Sequence, residues 1–373
     1  MYVHDILIIL PKFDANLKTN VINSNKRTGI KEIARLADVS IGTVDRVIHN
    51  RGQVSKKTMK RILNVMDKTN YKPNFVARVL ASKEKPRLVC LIPFHTSENK
   101  YWEAPLEGII KAEKEIADYG VTVNYSLFDQ YLPDSFEKKT RDILSDHPDG
   151  VLLAPVFSKQ AFDFIKKLDN LKIPYVFIDS KLKEANNLSF FGQNSFRSGM
   201  LAAKLMEFNC KPNGTIVILN IGTEHENIHH AREREKGFKT YFINNPDIQI
   251  NVLNISSGKL SNMDSMLKIP DTDISGIFAT SSAHIIANYL NHKGKGQITL
   301  IGYDLTSNNI TFLEKGIIDF LICQKPREQA FRGIYALFHH IVFEKQIRKN
   351  NFMPLDIITK ENFNDYLEFE LNN

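Results

Sequence analysis

Cysteine is scarce: Cys90, Cys210 and Cys323 are odd in number, far apart and set in apolar surroundings. That pattern excludes a disulfide framework and predicts buried thiols in a reducing cytoplasm. No apolar run approaches the roughly 18 residues that a membrane-spanning helix needs. The opening MYVHDILIILP has a short apolar run but neither a basic n-region nor a small-residue cleavage site, so no signal peptide is expected. Residues 1–27 read as an irregular extension without a clear role. A Gly-rich phosphate loop, a Cys/His zinc cluster and a nucleophile elbow are also missing. No covalent reaction, cofactor or catalytic residue is indicated, and the chain is not expected to be an enzyme.

What is present describes a globular protein of two to three units: 373 residues, 43% hydrophobic and 24% charged. The net charge of +7 is unevenly spread. Lys26 to Lys85 holds 15 Lys/Arg against 5 Asp/Glu, so a basic head precedes a mildly acidic body. This asymmetry suits one domain that meets a polyanion and another that does not, although a solvated basic face would look the same.

In the head, Ile30, Ile33, Ala34 and Ala37 recur at helical spacing. Asp38-Val39-Ser40 breaks the pattern, with Ser40 placed to cap a second helix whose apolar face is Val44, Val47 and Ile48. Ser55 caps a third, carrying Ile62, Val65 and Met66. Three short helices with a tight turn between the first two match a helix-turn-helix unit, a generic three-helix bundle being the plainer alternative. Ile41, Gly42 and Thr43 open the second helix and Arg46 sits one turn on. Arginine bonds bidentately to guanine edges, and threonine meets a phosphate or a thymine methyl. Arg51, Lys56, Lys57, Lys60 and Arg61 would flank them as phosphate contacts.

KEIARLADVSIGTVDRVIHNRGQVSKKT and NYKPNFVARVLAS closely resemble the DNA-binding head of lac-repressor-type transcription regulators (the LacI/GalR family), from about Gly29 to Ser82. The resemblance implies a helix-turn-helix domain over 28–73 and a hinge helix and linker over 74–85. It implies base and backbone contacts from Ile41, Gly42, Thr43, Arg46, His49, Asn50 and Gln53. In the hinge, Ala77, Arg78 and Leu80 would enter the minor groove, with Leu80 as the wedge that unstacks a base step. Asp45 departs from the family's usual serine, which puts operator preference in question.

From Arg87 onward, apolar runs (RLVCLIPF, VTVNYSLFD, GVLLAPV, IPYVFID, TIVILNIG, INVLNIS, SGIFATS, ITLIGYD, IDFLICQ) alternate with helical stretches. Continuous apolar strands between amphipathic helices predict parallel sheets covered on both faces, here in two lobes. Ligands of such folds bind at the carboxyl ends of the strands. Tyr101, Trp102, Asp179, Arg232, Asp304 and Gln324 all follow strands. An aromatic platform with carboxylates, an arginine and an amide suits a hydroxyl-rich ring, although each residue singly also reads as core filler, helix cap or surface ion pair.

This body is similar to the ribose-binding type of periplasmic sugar receptor, through GVLLAPV, KIPYVFIDS, FFGQNSFRSGMLAAKL, AREREKGF and LIGYDL, over about 86–340. The resemblance implies a type I periplasmic-binding-protein-like effector domain over 86–373. Its first lobe would span about 86–193 plus 325–345, and its second about 194–323 plus the C-terminal tail. It implies a small carbohydrate or polyol effector held by residues matching those six, with Ser195 a further candidate. Ser180, where the receptors often have Arg, and Thr280-Ser281-Ser282, replacing an Asn-Asp pair, point to a retuned pocket. The whole implies a cytoplasmic homodimeric repressor on a near-palindromic double-stranded operator, without membrane contact.

Two alternatives stay open. One is a sugar-binding receptor without DNA function. The other is a zinc hydrolase, since His225-Glu226-Asn227-Ile228-His229 fits H-E-x-x-H. Arg232, Arg234 and Lys236 make the following turns cationic and no third ligand is evident, so His229 or His230 is expected to border the effector cleft. The last segment, NFMPLDIITKENFNDYLEF, has no sustained heptad repeat and predicts no coiled-coil tail.

Overall fold

The computed structural model describes residues 29–48, 52, 54–69, 71, 85–97, 100–211, 214–222, 229–245, 247–256, 274–294 and 298–372. The chain divides into two compact units, residues 1–74 and 75–373. In the first, α1 (Ile30–Leu36), α2 (Ile41–Ile48) and α3 (Lys56–Lys68) enclose Ile33, Ala34, Ala37, Val44, Val47 and Ile62. The helical spacing therefore reads the core correctly. The α1–α2 turn is tight because Asp38 adopts a left-handed φ of 49°, which Asp tolerates better than most residues. Its carbonyl accepts from Arg61 Nη2 at 3.1 Å. Ser40 Oγ accepts from the Thr43 N–H (3.1 Å) and Ser55 Oγ from the Thr58 N–H (3.2 Å), so both expected caps form.

The second unit runs β1 (Arg87–Pro93), α4 (Glu103–Ile116), β2 (Thr122–Phe128), α5 (Pro133–Asp146), β3 (Gly150–Leu153), α6 (Ser158–Leu171), β4 (Tyr175–Ile178), β5 (Ser189–Gly192) and α7 (Ser195–Glu207). There follow β6 (Thr215–Gly222), α8 (His229–Tyr241), β7 (Gln249–Ser256), β8 (Ile274–Ala279), α9 (Ala283–Lys293), β9 (Thr299–Tyr303), α10 (Ser307–Glu314) and β10 (Phe320–Cys323). The chain closes with α11 (Pro326–Phe343), β11 (Asn350–Phe352), β12 (Asp356–Ile358) and α12 (Phe363–Asn372). Two six-stranded sheets form, in the orders β11-β5-β4-β3-β1-β2 and β12-β10-β9-β8-β6-β7. All pairs are parallel except β10–β12.

Each sheet carries apolar clusters that together cover it as the continuous apolar strands require; β3 and β4 are buried at every residue. The expected doubly wound α/β lobes are the observed architecture. The chain passes between lobes after β5, after β10 and after β11, so β11 carries the first lobe past residue 345. Sequence reasoning missed β5, β11 and β12, whose three or four residues each, unlike the equally short β3 and β4, are not set in a longer apolar run.

One helix contact positions the site. A Cβ on Gly199 of α7 would stand 1.9 Å from the Arg234 carbonyl oxygen, and one on Gly237 of α8 would stand 1.9 Å from the Phe196 carbonyl oxygen. Backbone lies against backbone at this crossing, and it fixes the turn of α8 that carries Arg234. Gly199→Ala is expected to lower stability by about 1–3 kcal/mol through overpacking, measured as a reduced urea midpoint.

Candidate functional site

In the first unit, α2 buries Val44 and Val47 and turns Ile41, Gly42 and Arg46 outward, with Ile41 45% exposed. Thr43 is half-buried, its Oγ1 2.9 Å from Ser40 Oγ. A small, open helix N-terminus with an arginine one turn on can approach a groove closely. Lys56, Lys57, Lys60 and Arg61 on α3 are exposed beside it. Asp45 lies near Tyr71, whose phenol is pushed up by burial and then by the Asp45 charge. His49, Asn50, Arg51, Gln53, Ala77, Arg78 and Leu80 lie outside the described residues, as does the expected hinge helix.

In the second unit, equivalent places in the two sheets end in the same device. Asp179 follows β4 and Asp304 follows β9, and both adopt φ 65°. That left-handed backbone costs roughly 1–2 kcal/mol, least for Asp and Asn, and it turns each carboxylate off the strand end. Asn309 Nδ2 pins the second turn by donating to the carbonyls of Tyr303 (2.9 Å) and Asp304 (2.8 Å). Tyr101 donates to Asp179 Oδ1 at 2.7 Å, and Gln324 Nε2 donates to Asp304 Oδ2 at 2.8 Å. The other oxygen, Asp304 Oδ1, is buried without a protein hydrogen-bond partner. The two lobes meet electrostatically here, because Tyr101 feels both carboxylates and Asp179 feels Arg234.

The arginine at the centre is Arg234. It is 3% exposed, while Arg232 is exposed on another side of α8. Arg234 Nη1 donates to the Thr280 carbonyl at 2.5 Å, Nη2 reaches Gln324 Oε1 at 3.4 Å, and the guanidinium lies 3.6 Å over the Tyr303 ring. Gln193, oriented so that both neighbours are satisfied, turns its amide oxygen to Arg234 Nε (3.1 Å) and its nitrogen to Ser198 Oγ (3.1 Å). Tyr303 donates to Ser198 Oγ at 2.9 Å. Two residues along a helix is about 200°, so AREREKGF offers two arginines on opposite faces and does not say which turns inward.

The other expected positions divide. Trp102 is 4% exposed and belongs to the first lobe's core; its indole N–H donates to Gln130 Oε1 at 2.9 Å and its ring meets Tyr101 edge-on at 5.0 Å. It orients Tyr101 and is not an open stacking platform. Ser195 opens α7 half-buried, its carbonyl accepting from Ser198 Oγ at 2.9 Å. Thr280 is buried and tied to Asn220 Oδ1 at 2.8 Å. Gln193 and Gln329 were not singled out from sequence, since a buried amide carries no periodic signal, and Arg234 was named there only as one of the cationic residues of its turn. His225 and Glu226 lie outside the described residues. His229 begins α8, its imidazole held down by burial and by Lys183, Lys181 and Arg232 against Glu233. Among the described residues no group of three or more His, Cys, Asp or Glu could hold a metal ion, and no helix is long and apolar enough to cross a membrane.

Burial pushes the Asp304 carboxyl up to about 7, against the pull of Arg234 and Gln324 and with some help from Asp179. Burial likewise raises Asp179, against Tyr101 and Arg234. Between the ordinary carboxylate range and about 7 the folded protein therefore keeps a proton on Asp304 that the unfolded chain has released. Stability from this group is fully present at acid pH and is lost as pH rises through that window. Carboxyl-carbon NMR is expected to show one aspartate titrating near neutrality, a signal that Asp304→Asn removes.

Comparison with known proteins agrees with both units. Residues 89–345 match the periplasmic binding protein domain, and residues 29–74 match the bacterial regulatory proteins of the lacI family. A ribose operon repressor of Halalkalibacterium halodurans is 29% identical over 49% of this chain, an alignment that spans only 52% of that protein. A sucrose operon repressor of Streptococcus mutans is 27% identical over 74% of this chain and 82% of its own length. A crystal structure assigned as a LacI transcriptional regulator from Bacteroides fragilis is 33% identical with a TM-score of 0.69, over 76% of this chain and all of that one. The chain belongs to the lacI family of bacterial regulatory proteins, with a lacI-type DNA-binding head joined to a periplasmic-binding-protein domain.

Proposed function

We propose that the protein is a sugar-responsive transcriptional repressor. The observation that carries this reading is the joining, in one chain, of an exposed, basic helix-turn-helix surface to a two-lobed unit with a buried, half-satisfied carboxylate at its strand ends. A dimer presents two α2 helices to successive major grooves of a near-palindromic operator, and residues 74–85 form the hinge, with Leu80 as wedge beside Ala77 and Arg78. His49, Asn50 and Gln53 extend the reading surface. The effector is a small sugar or polyol. Tyr101, Asp179, Asp304 and Gln324 receive it, with Ser195 as a further contact. It acts by binding the two operator-affinity states unequally. The relatives named as ribose and sucrose operon repressors support the ligand class.

The experiment is fluorescence anisotropy on a duplex selected from a random library, titrated with salt and then with a panel of sugars and polyols. A palindromic site, a steep salt dependence and a shift by one ligand are expected. Sequence-blind binding that no ligand alters would refute the proposal. Arg46→Ala is expected to cost about 1–3 kcal/mol on the selected site and relax one position. Lys57→Ala is expected to weaken all sequences about equally and flatten the salt slope by about one.

Effector binding carries its own pH signature. A hydroxyl donating to Asp304 favours the ionised carboxylate, so affinity rises as pH increases through about 7. Isothermal titration across neutrality is expected to show this rise in the native protein and its loss in Asp304→Asn.

A further inference from the structure

Gln329 lies in the first turn of α11, immediately after the chain has passed from the second lobe to the first, and it is 1% exposed. Its amide makes two hydrogen bonds in opposite directions. The oxygen accepts from the Asp179 N–H at 2.9 Å, and the nitrogen donates to the Gln324 carbonyl at 2.8 Å. Asp179 ends a strand of the first lobe in left-handed backbone. Gln324 ends a strand of the second lobe and holds Asp304 Oδ2 by its own amide. A continuous line of hydrogen bonds thus runs from one strand-end aspartate to the other: Asp179 N–H to Gln329, Gln329 to Gln324, Gln324 to Asp304.

We propose that Gln329 is a positioning residue of the effector site, fixing Asp179 of the first lobe against the Gln324–Asp304 pair of the second. The inference rests on the effector-site reading above. The amide is suited to this because it is both donor and acceptor, so it satisfies two backbone groups that would otherwise be stranded in a dry interior. An apolar side chain of similar size leaves both unpaired; a carboxylate keeps the acceptor but sets a negative oxygen against a carbonyl. The effector engages both aspartates, so freeing one from the other raises the ordering cost of binding without removing any contact to the ligand. Gln329 need not touch the effector to set its affinity.

The test reads interlobe geometry before any sugar is added. Spin labels on Lys138→Cys (α5) and Asn291→Cys (α9), both exposed, in a Cys210→Ser background, report the distance between lobes by double electron–electron resonance. The protein with Gln329 intact is expected to give one narrow distribution, and Gln329→Leu a broadened or displaced one. Gln329→Glu serves as the milder variant. Its introduced carboxyl would stand between the Asp179 N–H and the Gln324 carbonyl, with Tyr101 and Arg234 acting on Asp179 and with Asp304 bonded to Gln324, and once protonated it can donate to Gln324 as the amide does. It is expected to match the native distribution at acid pH and the broadened one at alkaline pH, relative to the Gln329 protein at each pH. A merely structural role would not give this pH-dependent rescue. D-ribose and sucrose are then titrated, and Gln329→Leu is expected to bind about tenfold or more weakly than the native protein. Superimposable sugar-free distributions for all three proteins would overturn the role of Gln329. A native distribution that no sugar shifts, with Gln329→Leu still broadened, would instead count against the sugar reading while leaving the positioning role standing.

Discussion

A carboxylate or guanidinium removed from water must find partners or give up its charge, and in the second unit that requirement falls together on Asp179, Asp304 and Arg234. Arg234 meets it with the Thr280 carbonyl, the Gln193 and Gln324 amides and the face of Tyr303. Asp179 meets it with Tyr101 and the field of Arg234. Asp304 is only half provided for, and its raised proton affinity is the physical record of that shortfall. Much of the surrounding structure follows from holding these three groups in place: the glycine crossing of α7 and α8, the left-handed strand ends, and the glutamines where the chain changes lobe.

Each lobe solves the same problem with the same topology. A doubly wound sheet brings the ends of neighbouring strands to one edge, where backbone leaves the ladder and side chains can face a ligand. The two sheets each exchange their last strand with the chain's return, β11 to the first and β12 to the second. Few chain passages therefore join the lobes. Lys325 stands at one of these passages in left-handed backbone, bonded to Asp356 (2.9 Å) and Glu370 (3.2 Å). Arg327 donates to the Glu370 carbonyl at 2.7 Å, which ties α11 of the first lobe to α12.

The head obeys a simpler constraint. Six buried residues make a small core, so the turn between α1 and α2 and the caps at Ser40 and Ser55 must be locally right. That is why its sequence was so readable: caps, a helical period and an Asp at the tight turn all act within four residues of one another.

Local sequence determined a good deal. It set the three head helices and their caps, nine of the twelve strands among the described residues, the basic-then-acidic order of domains, and the placement of Asp179, Asp304 and Gln324 at strand ends, because periodicity and capping are short-range properties. Only the tertiary structure decided which arginine of AREREKGF turns inward, since the crossing at Gly199 and Gly237 sets the rotation of α8. It also decided that Trp102 packs into the core and that Gln193 and Gln329 join the polar network. Those outcomes depend on neighbours up to 150 residues away in the chain, where hydrogen bonding and burial are settled by packing and no local pattern can announce them.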